Sequence, residues 1–149
     1  RYLTIYNIND ELLDTNRTVF QNYENYHFYN MKEEKNMLSL KLKQLNFMNG
    51  KCFDDYIVVV PQTYEDLVDE GKQQNNCVGH YYNESILGGE NLILFIRHSN
   101  SPKKSYITCR YNIKKQDIVE YRYKNNQDVN GYDMIIIEKV AEMIRNNLK

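Results

Sequence analysis

The stretch LILFIR, residues 92–97, decides the fold, because its first five residues are all apolar. A strand that is apolar on both faces is typical of the centre of a sheet, where other elements cover each side. The run ends at Arg97, and the residues SNSP at 99–102 have the composition of a turn. We therefore predict a central β-strand over residues 92–97.

Neighbouring strands are predicted on both sides of this one. Residues 105–111 and 117–123 are strand-like, and short polar connections favour an antiparallel meander over residues 92–123. Upstream, residues 56–60 form a β-branched run that ends at Pro61. This run predicts a fourth strand that extends the sheet.

Helices are predicted before and after these strands. Apolar residues recur at helical spacing over about 30–48 and along one face of 132–148, and short helices are predicted at 64–70 and 79–87. Residues 1–6 alternate in the manner of a short strand. The predicted fold class is α+β: a three- to four-stranded, mainly antiparallel sheet packed against two longer helices.

Length and charge limit the classes of function. A chain of 149 residues suits a single domain, here 1–149, in which residues 1–50 form a less certain N-terminal extension. The net charge of −1 gives no field that would draw the whole protein onto nucleic acid or anionic lipid. The sequence contains neither a run of about 18 apolar residues nor a basic-then-apolar leader. We therefore expect a cytoplasmic protein that does not bind membranes.

The cysteines indicate a reducing compartment. Three of them, Cys52, Cys77 and Cys109, stand at irregular spacing, and an odd number does not form a disulfide framework. Cys77 and His80 form a Cys-x-x-His pair, but no second paired spacing completes a zinc site. We expect no metal and no cofactor.

Cys77 lies in the polar stretch QQNNCVGHYY, residues 73–82. If a helix begins near Gly79, its N-terminus favours a thiolate at Cys77, and the imidazole of His80 could serve as the base. The alternative is that Cys77 is a small buried residue in a tight turn and that His80 is partly exposed. Both interpretations stay open from sequence.

Arg97 shares the side of Ile93 and Phe95 in an otherwise apolar strand. A guanidinium at the edge of the core needs a partner, and Glu120 on the third strand of the meander is one candidate. The alternative is that Arg97 marks the strand end and extends its charge to water.

Residues 103–124 are locally basic. They contain seven basic and two acidic residues, interleaved with four tyrosines. Basic strands with exposed aromatic rings bind single-stranded nucleic acids in several folds. The alternative is that half of the tyrosines are buried by strand alternation and that Lys114 and Lys115 are solvated turn residues. Walker A, dinucleotide, His-Glu-x-x-His and Gly-x-Ser-x-Gly motifs are absent.

With these residues in view, residues 56–126 resemble the PcfJ-like family, small proteins of conjugative plasmids, integrated elements and phages. The resemblance is carried by EDLVDEG at 65–71, Cys77-Val78-Gly79-x-Tyr81, Gly89, the strand that ends in Arg97, Thr108, Glu120, Arg122 and Asn126. The family often has His directly before the Cys, where this chain has Asn76.

The resemblance implies that polar motif positions from separate elements meet at one pocket. It supplies positions rather than a reaction, so whether the domain is an enzyme stays open. The catalytic candidates are Cys77, His80 and Glu120, and the binding candidates are Tyr81, Arg97, Thr108, Arg122 and Asn126.

Three functions follow as hypotheses. The first is an accessory protein of a mobile genetic element, whose pocket around Cys77, Arg97, Arg122 and Asn126 binds a small ligand or nucleotide, with catalysis left open. The second is a single-stranded nucleic-acid binding module that uses the basic meander 103–124. The third is a protein-interaction domain that acts on host machinery.

Overall fold

The computed structural model describes residues 32–81 and 83–148, and the side chains of residues 80–83 are not described. The predicted strand at 1–6 and the first two residues of the predicted helix at 30–48 lie outside this range. The chain divides into two units between Asn36 and Met37. Residues 32–36 are helical, and the fold below is that of the unit from Met37 onward.

A five-stranded sheet forms the centre of this unit, and all neighbouring strands are antiparallel. The strands follow one another in chain order, so the predicted meander and its upstream extension are confirmed. The sheet has five strands rather than three or four, because the first contains two residues and is too short to show periodicity. They are β1 Cys52–Phe53, β2 Tyr56–Val59, β3 Asn91–His98, β4 Ile107–Asn112 and β5 Asp117–Arg122.

Strand β3 is central, as its sequence predicts, and its first seven residues are buried. Ile93 and Phe95 face a cluster that includes Leu67 and Ile86. Leu92, Leu94 and Ile96 belong to the larger cluster on the other face. Burial of apolar surface stabilises a fold by about 25 cal/mol per Å². These two apolar layers therefore make the main contribution to the stability of the domain.

In this unit, helix α1 spans residues 37–42 and continues as the 3₁₀ helix Lys43–Met48. Helix α2, Tyr64–Gln74, begins with a capping box between Thr63 and Asp66. It extends past its predicted end at residue 70, and Asn75 terminates it in the left-handed conformation. Gly71, which directly follows the predicted helix 64–70, therefore does not end α2.

Gly71 and Gly79 instead permit a close approach of backbones. The predicted helix at 79–87 is observed as α3, Val78–Tyr81, and α4, Asn83–Leu87, on either side of residue 82. A Cβ on Gly79 would lie 3.1 Å from the Cα of Val68, and a Cβ on Gly71 would lie 3.2 Å from the carbonyl oxygen of Asn76. The two glycines thus allow α3 to pack on α2.

Helix α5, Tyr132–Asn147, covers the other face of the sheet through a stripe that includes Ile136, Val140 and Ile144. Between β5 and α5 lies a short 3₁₀ segment, Lys124–Asn126. Within residues 32–81 and 83–148, no helix is both long and apolar enough to cross a membrane.

Candidate functional site

A polar cleft of about 310 Å³ opens on the sheet face that carries α2 and α3. Strands β4 and β5 form its floor, the turn between α2 and α3 forms one wall, and the 3₁₀ segment forms another. We call it the Cys77 cleft. Its lining residues are Asn76, Cys77, Val78, Thr108, Cys109, Arg110, Glu120, Arg122 and Asn126.

Strand register places the floor side chains together. Thr108 pairs with Arg122, and Arg110 pairs with Glu120. Alternate residues of a strand share one face, so all four side chains project from the same side of the sheet. Four positions that the family resemblance proposes for one pocket line this cleft, namely Cys77, Thr108, Arg122 and Asn126, and the catalytic candidate Glu120 lines it as well.

The charged residues of the cleft are partly engaged with one another. Arg110 lies 3.6 Å from Glu120 and also donates to Asn91 Oδ1 at 3.0 Å. Arg122 donates to the carbonyl oxygen of Tyr121 at 3.0 Å and lies 3.7 Å from the exposed Asp128. Two guanidinium groups and one carboxylate line the cleft, so its lining carries a net positive charge.

Arg97 does not line the cleft. It is 9% exposed and forms an ion pair with Glu70, which is fully buried, at 2.7 Å. The prediction that Glu120 is the partner of Arg97 is wrong, because Glu120 lies opposite Arg110 on the neighbouring strand. The prediction that Arg97 extends to water is also wrong, because α2 covers this end of β3 and brings Glu70 onto it.

Glu70 accepts three side-chain hydrogen bonds. Besides Arg97, Ser105 donates to one carboxylate oxygen, and Thr108 donates to the other at 2.6 Å. Sequence reasoning missed Glu70, although a signal exists: Leu67, Glu70 and Gln74 follow the spacing of a buried helical stripe. A carboxylate on such a stripe indicates a buried ion pair.

Thr108 links this buried network to the cleft. Its hydroxyl donates to Glu70 and accepts from Asn76 Nδ2 at 3.5 Å. Asn76 Oδ1 in turn accepts from the backbone N–H of Val78 at 3.0 Å. The amide of Asn76 is therefore oriented between the start of α3 and the buried network.

The cysteines differ in exposure. Cys52 and Cys77 are exposed, whereas Cys109 is buried. The interpretation of Cys77 as a buried turn residue is thus wrong. Burial, together with the negative charge of Glu70, raises the pKa of the Cys109 thiol. The side chains of His80 and Tyr81 lie outside the described part of the chain, so a Cys77–His80 pair and a binding role for Tyr81 stay predictions.

Asp133 organises a tyrosine cluster on the other face of the sheet. The hydroxyls of Tyr56, Tyr106 and Tyr123 all donate to its carboxylate, and Tyr106 does so at 2.6 Å. Burial acts to raise the pKa of Asp133, but the three hydrogen bonds outweigh it and lower that pKa. The bond to Asp133, and then burial, raise the pKa of Tyr56 to about 12.

The basic residues of the meander do not share one surface. Arg110 and Arg122 line the cleft. The remaining lysines lie in the connections at the two opposite ends of β4 or directly after β5.

Within residues 32–81 and 83–148, no group of three or more His, Cys, Asp or Glu side chains could hold a metal ion.

The fold and the site define a class: an α+β domain with a polar cleft on one face of an antiparallel meander. The sequence profile of the PcfJ-like protein family matches residues 10–136. Since this is most of the chain, the chain belongs to the PcfJ-like family. The match extends on both sides of the segment, 56–126, that carries the resemblance.

One relative gives the context of the match. The chain is 32% identical over 100 residues to an uncharacterised protein of Listeria innocua, Lin1253/Lin1744. The alignment covers 66% of this chain and 22% of the relative, so the chain matches about a fifth of that protein. No solved structure matches the chain.

Proposed function

We propose that this PcfJ-like domain is an accessory protein of a mobile genetic element and that its Cys77 cleft binds a small anionic ligand, a nucleotide. Membership of the family supports the first part. The observation that carries the second part is the meeting of Cys77, Thr108, Glu120, Arg122 and Asn126 around one cleft.

The size and chemistry of the cleft suit such a ligand. Its volume of about 310 Å³ is at the lower end of small-molecule sites, which span about 300–1,000 Å³. Guanidinium groups recognise phosphate in a fixed, bidentate geometry, and the side-chain amides of Asn76 and Asn126 offer both donors and acceptors. The lining thus fits a phosphate joined to a polar ring.

Backbone conformation at the rim supports a binding role. Asn75, Asn125 and Asn126 all have positive φ, between 53° and 60°. Such conformations cost free energy and cluster at ligand sites, although asparagine tolerates them better than most residues. The Asn75 side chain donates to Asn125 Oδ1 at 2.8 Å, which fixes the two turns relative to each other.

Binding, rather than a reaction, is the function proposed. Cys77 is exposed and could contact a ligand. The catalytic candidate Glu120 is paired with Arg110, so its carboxylate contributes to the shape of the floor. A ligand phosphate that binds Arg122 would lie next to this ion pair, because Arg122 follows Glu120 on the same face of β5.

Protection of Cys77 from alkylation tests the proposal. The probes are inorganic phosphate, a nucleoside monophosphate and a nucleoside triphosphate, and the readout is the iodoacetamide labelling rate of each cysteine by mass spectrometry. We expect a nucleotide to slow labelling of Cys77 and to leave Cys52 unchanged. Cys52 is an internal control, since it is exposed and lies on β1, at the far edge of the sheet.

A matched pair of variants strengthens this test. Arg122→Ala removes a cation from the lining and is expected to abolish protection, whereas Lys115→Ala removes a cation from the β4–β5 turn and is expected to retain it. If neither nucleotide slows labelling of Cys77 in the unmodified protein, the proposal is wrong.

In the form predicted from the sequence, the other two hypotheses have less support. The cations of residues 103–124 do not form one surface, because Lys114 and Lys115 lie at the end of β4 opposite to Lys103 and Lys104, so only part of the predicted meander contributes to any one basic site. Large apolar residues that are exposed in the described chain are Met37, Leu40, Phe47, Tyr132 and Ile135. Isolated exposed apolar residues are ordinary, and nothing in the structure indicates what would cover these.

A further inference from the structure

A second hollow lies directly beside the Cys77 cleft. It has a volume of about 570 Å³, and we call it the lysine groove. The C-terminal half of α2, the β3–β4 connection and the residues after β5 contribute its walls. It is lined by Lys72, Gln73, Gln74, Lys104, Ser105, Tyr106, Tyr123 and Lys124.

The cleft and the groove share a partition. Gln74 lines the groove and Asn76 lines the cleft, while on the other wall Lys124 lines the groove and Asn126 lines the cleft. The intervening residues, Asn75 and Asn125, hydrogen-bond to each other across this boundary. A ligand that crosses the hydrogen bond between the Asn75 and Asn125 side chains would therefore occupy both the cleft and the groove.

The groove is positive although the chain is not. Its lining contains three lysines and neither aspartate nor glutamate, whereas the whole chain has a net charge of −1. Within the described chain, Lys72, Lys104 and Lys124 form no ion pair. Their charges are thus available to an anionic partner, and three cations in one groove suit a partner with several phosphates.

The groove is also held rigidly. Gln73 Oε1 accepts from the backbone N–H of Ser105 at 2.9 Å, and Gln74 Nε2 donates to the carbonyl oxygen of Tyr106 at 2.9 Å. These two bonds tie α2 to the β3–β4 connection. A site held in this way loses less conformational entropy when it binds.

Tyr106 and Tyr123 belong both to the tyrosine cluster around Asp133 and to the lining of the groove. Tyr106 and Tyr123 have ring centroids 5.3 Å apart, and both hydroxyls are anchored on Asp133. Tyr106 also lies against His98, with centroids 4.2 Å apart, so its ring is held from that side. Aromatic rings and cations in one groove are the combination with which proteins hold the bases and backbone of a single strand.

We propose that the lysine groove binds the backbone phosphates of a single-stranded nucleic acid whose terminal nucleotide occupies the Cys77 cleft. This inference rests on the proposed nucleotide site and names its ligand as the end of a strand rather than a free nucleotide. A single strand fits better than a duplex, because paired and stacked bases cannot turn their faces to the tyrosine rings.

The test compares a nucleotide with oligonucleotides that contain it. Thymidine monophosphate and labelled thymidylate and uridylate strands of about eight nucleotides, within the usual size of single-strand sites, are titrated by fluorescence anisotropy and by protection of Cys77. We expect both strands to bind more tightly than the mononucleotide and to protect Cys77. A difference between the two strands would distinguish DNA from RNA as the ligand.

Lysine variants assign the phosphates. The triple variant Lys72→Ala, Lys104→Ala, Lys124→Ala is expected to reduce the slope of log K against log salt by about 2, since a single strand contributes about 0.7 for each neutralised phosphate. The matched control removes three exposed lysines from other surfaces, Lys51, Lys114 and Lys115. This control should leave the slope unchanged.

Two variants of Tyr123 test whether its ring stacks on a base of the strand. Tyr123→Phe keeps the ring but loses the bond to Asp133, and Tyr123→Leu loses both. Stacking of one base is worth enough that loss of the ring should weaken strand binding about tenfold relative to the phenylalanine variant. Equal strand affinity in the two variants would show that the ring contacts no base, and this would overturn the stacking step.

The remaining outcomes separate this inference from the function on which it rests. If the strands bind no more tightly than the mononucleotide while both protect Cys77, the strand inference is wrong and the nucleotide site stands. If strands bind through the three lysines but leave Cys77 unprotected, the placement of the strand end is wrong. If neither nucleotide nor strand protects Cys77, both proposals fail.

Discussion

Replacement of Glu70 by alanine is expected to be among the most destabilising single substitutions in the domain. The carboxylate is fully buried and accepts from Arg97, Ser105 and Thr108. Its removal leaves the guanidinium of Arg97, a residue that is 9% exposed, without its counter-charge, and leaves two hydroxyls without their acceptor. Loss of one member of a buried ion pair typically costs about 3–5 kcal/mol.

Urea and thermal unfolding, followed by circular dichroism, measure this loss. In a domain of this size, 1 kcal/mol shifts the melting temperature by about 2–4 °C, so we expect a decrease of about 6–20 °C. The control is Glu120→Ala, which breaks the more exposed 3.6 Å pair with Arg110. That variant should lose no more than about 1 kcal/mol.

The double variant Glu70→Leu, Arg97→Met separates the charge from the packing. It removes both charges and keeps apolar volume, so it should be more stable than Glu70→Ala. If Glu70→Ala loses under about 1 kcal/mol, or no more than Glu120→Ala, then Glu70 is not a buried counter-charge and the account of Arg97 is wrong.

Three further predictions concern other parts of the domain. Gly79→Ala should lower stability by about 1–3 kcal/mol in urea unfolding, because the new Cβ would lie 3.1 Å from the Cα of Val68; alanine in an unobstructed helix would instead stabilise. The pKa of Asp133 is lowered in the folded state, so its contribution to stability is present above its unfolded pKa of about 4 and is lost as pH falls through the folded pKa. The melting temperature of Asp133→Asn should therefore fall less between pH 5 and acid than that of the unmodified protein, and an equal fall would contradict the assignment. Titration of the folded protein with a thiol reagent should modify Cys52 and Cys77, and should modify Cys109 after unfolding; three equivalents from the folded state would contradict the burial of Cys109.

Regular periodicity made the sheet predictable. Residues 92–97 are apolar at every position but the last, and turn residues separate them from two more strands, so few alternatives to a central strand in a meander exist. The end of α2 was less predictable. Gly71 has the appearance of a terminator, but its function depends on the approach of Asn76 from the next turn, and a sequence pattern does not contain that tertiary contact.

The candidate site was predictable where strand register decides it. Thr108, Glu120 and Arg122 fall on one face of adjacent strands, so their meeting follows from alternation and pairing. The partner of Arg97 did not follow, because it comes from a helix, and the rotation of a helix against a sheet is set by packing. Glu70 reaches Arg97 since it shares a stripe with Leu67, which is buried against Ile93 and Phe95.

The buried ion pair and the polar cleft are parts of one construction. Thr108 donates to Glu70 below the sheet surface and accepts from Asn76 at the cleft wall. The same Asn76 accepts from the first backbone N–H of α3, which packs on α2 through Gly79. The motif residues from 65 to 81 therefore act together. The glycines set the distance between two helices, and Glu70 holds α2 on the sheet through its hydrogen bonds. Asn76 and Cys77 are thereby placed in the wall of the cleft. Some of these motif positions are buried and others are exposed, and they are separate in sequence. All of them contribute to one arrangement, in which the α2–α3 turn lies over β4.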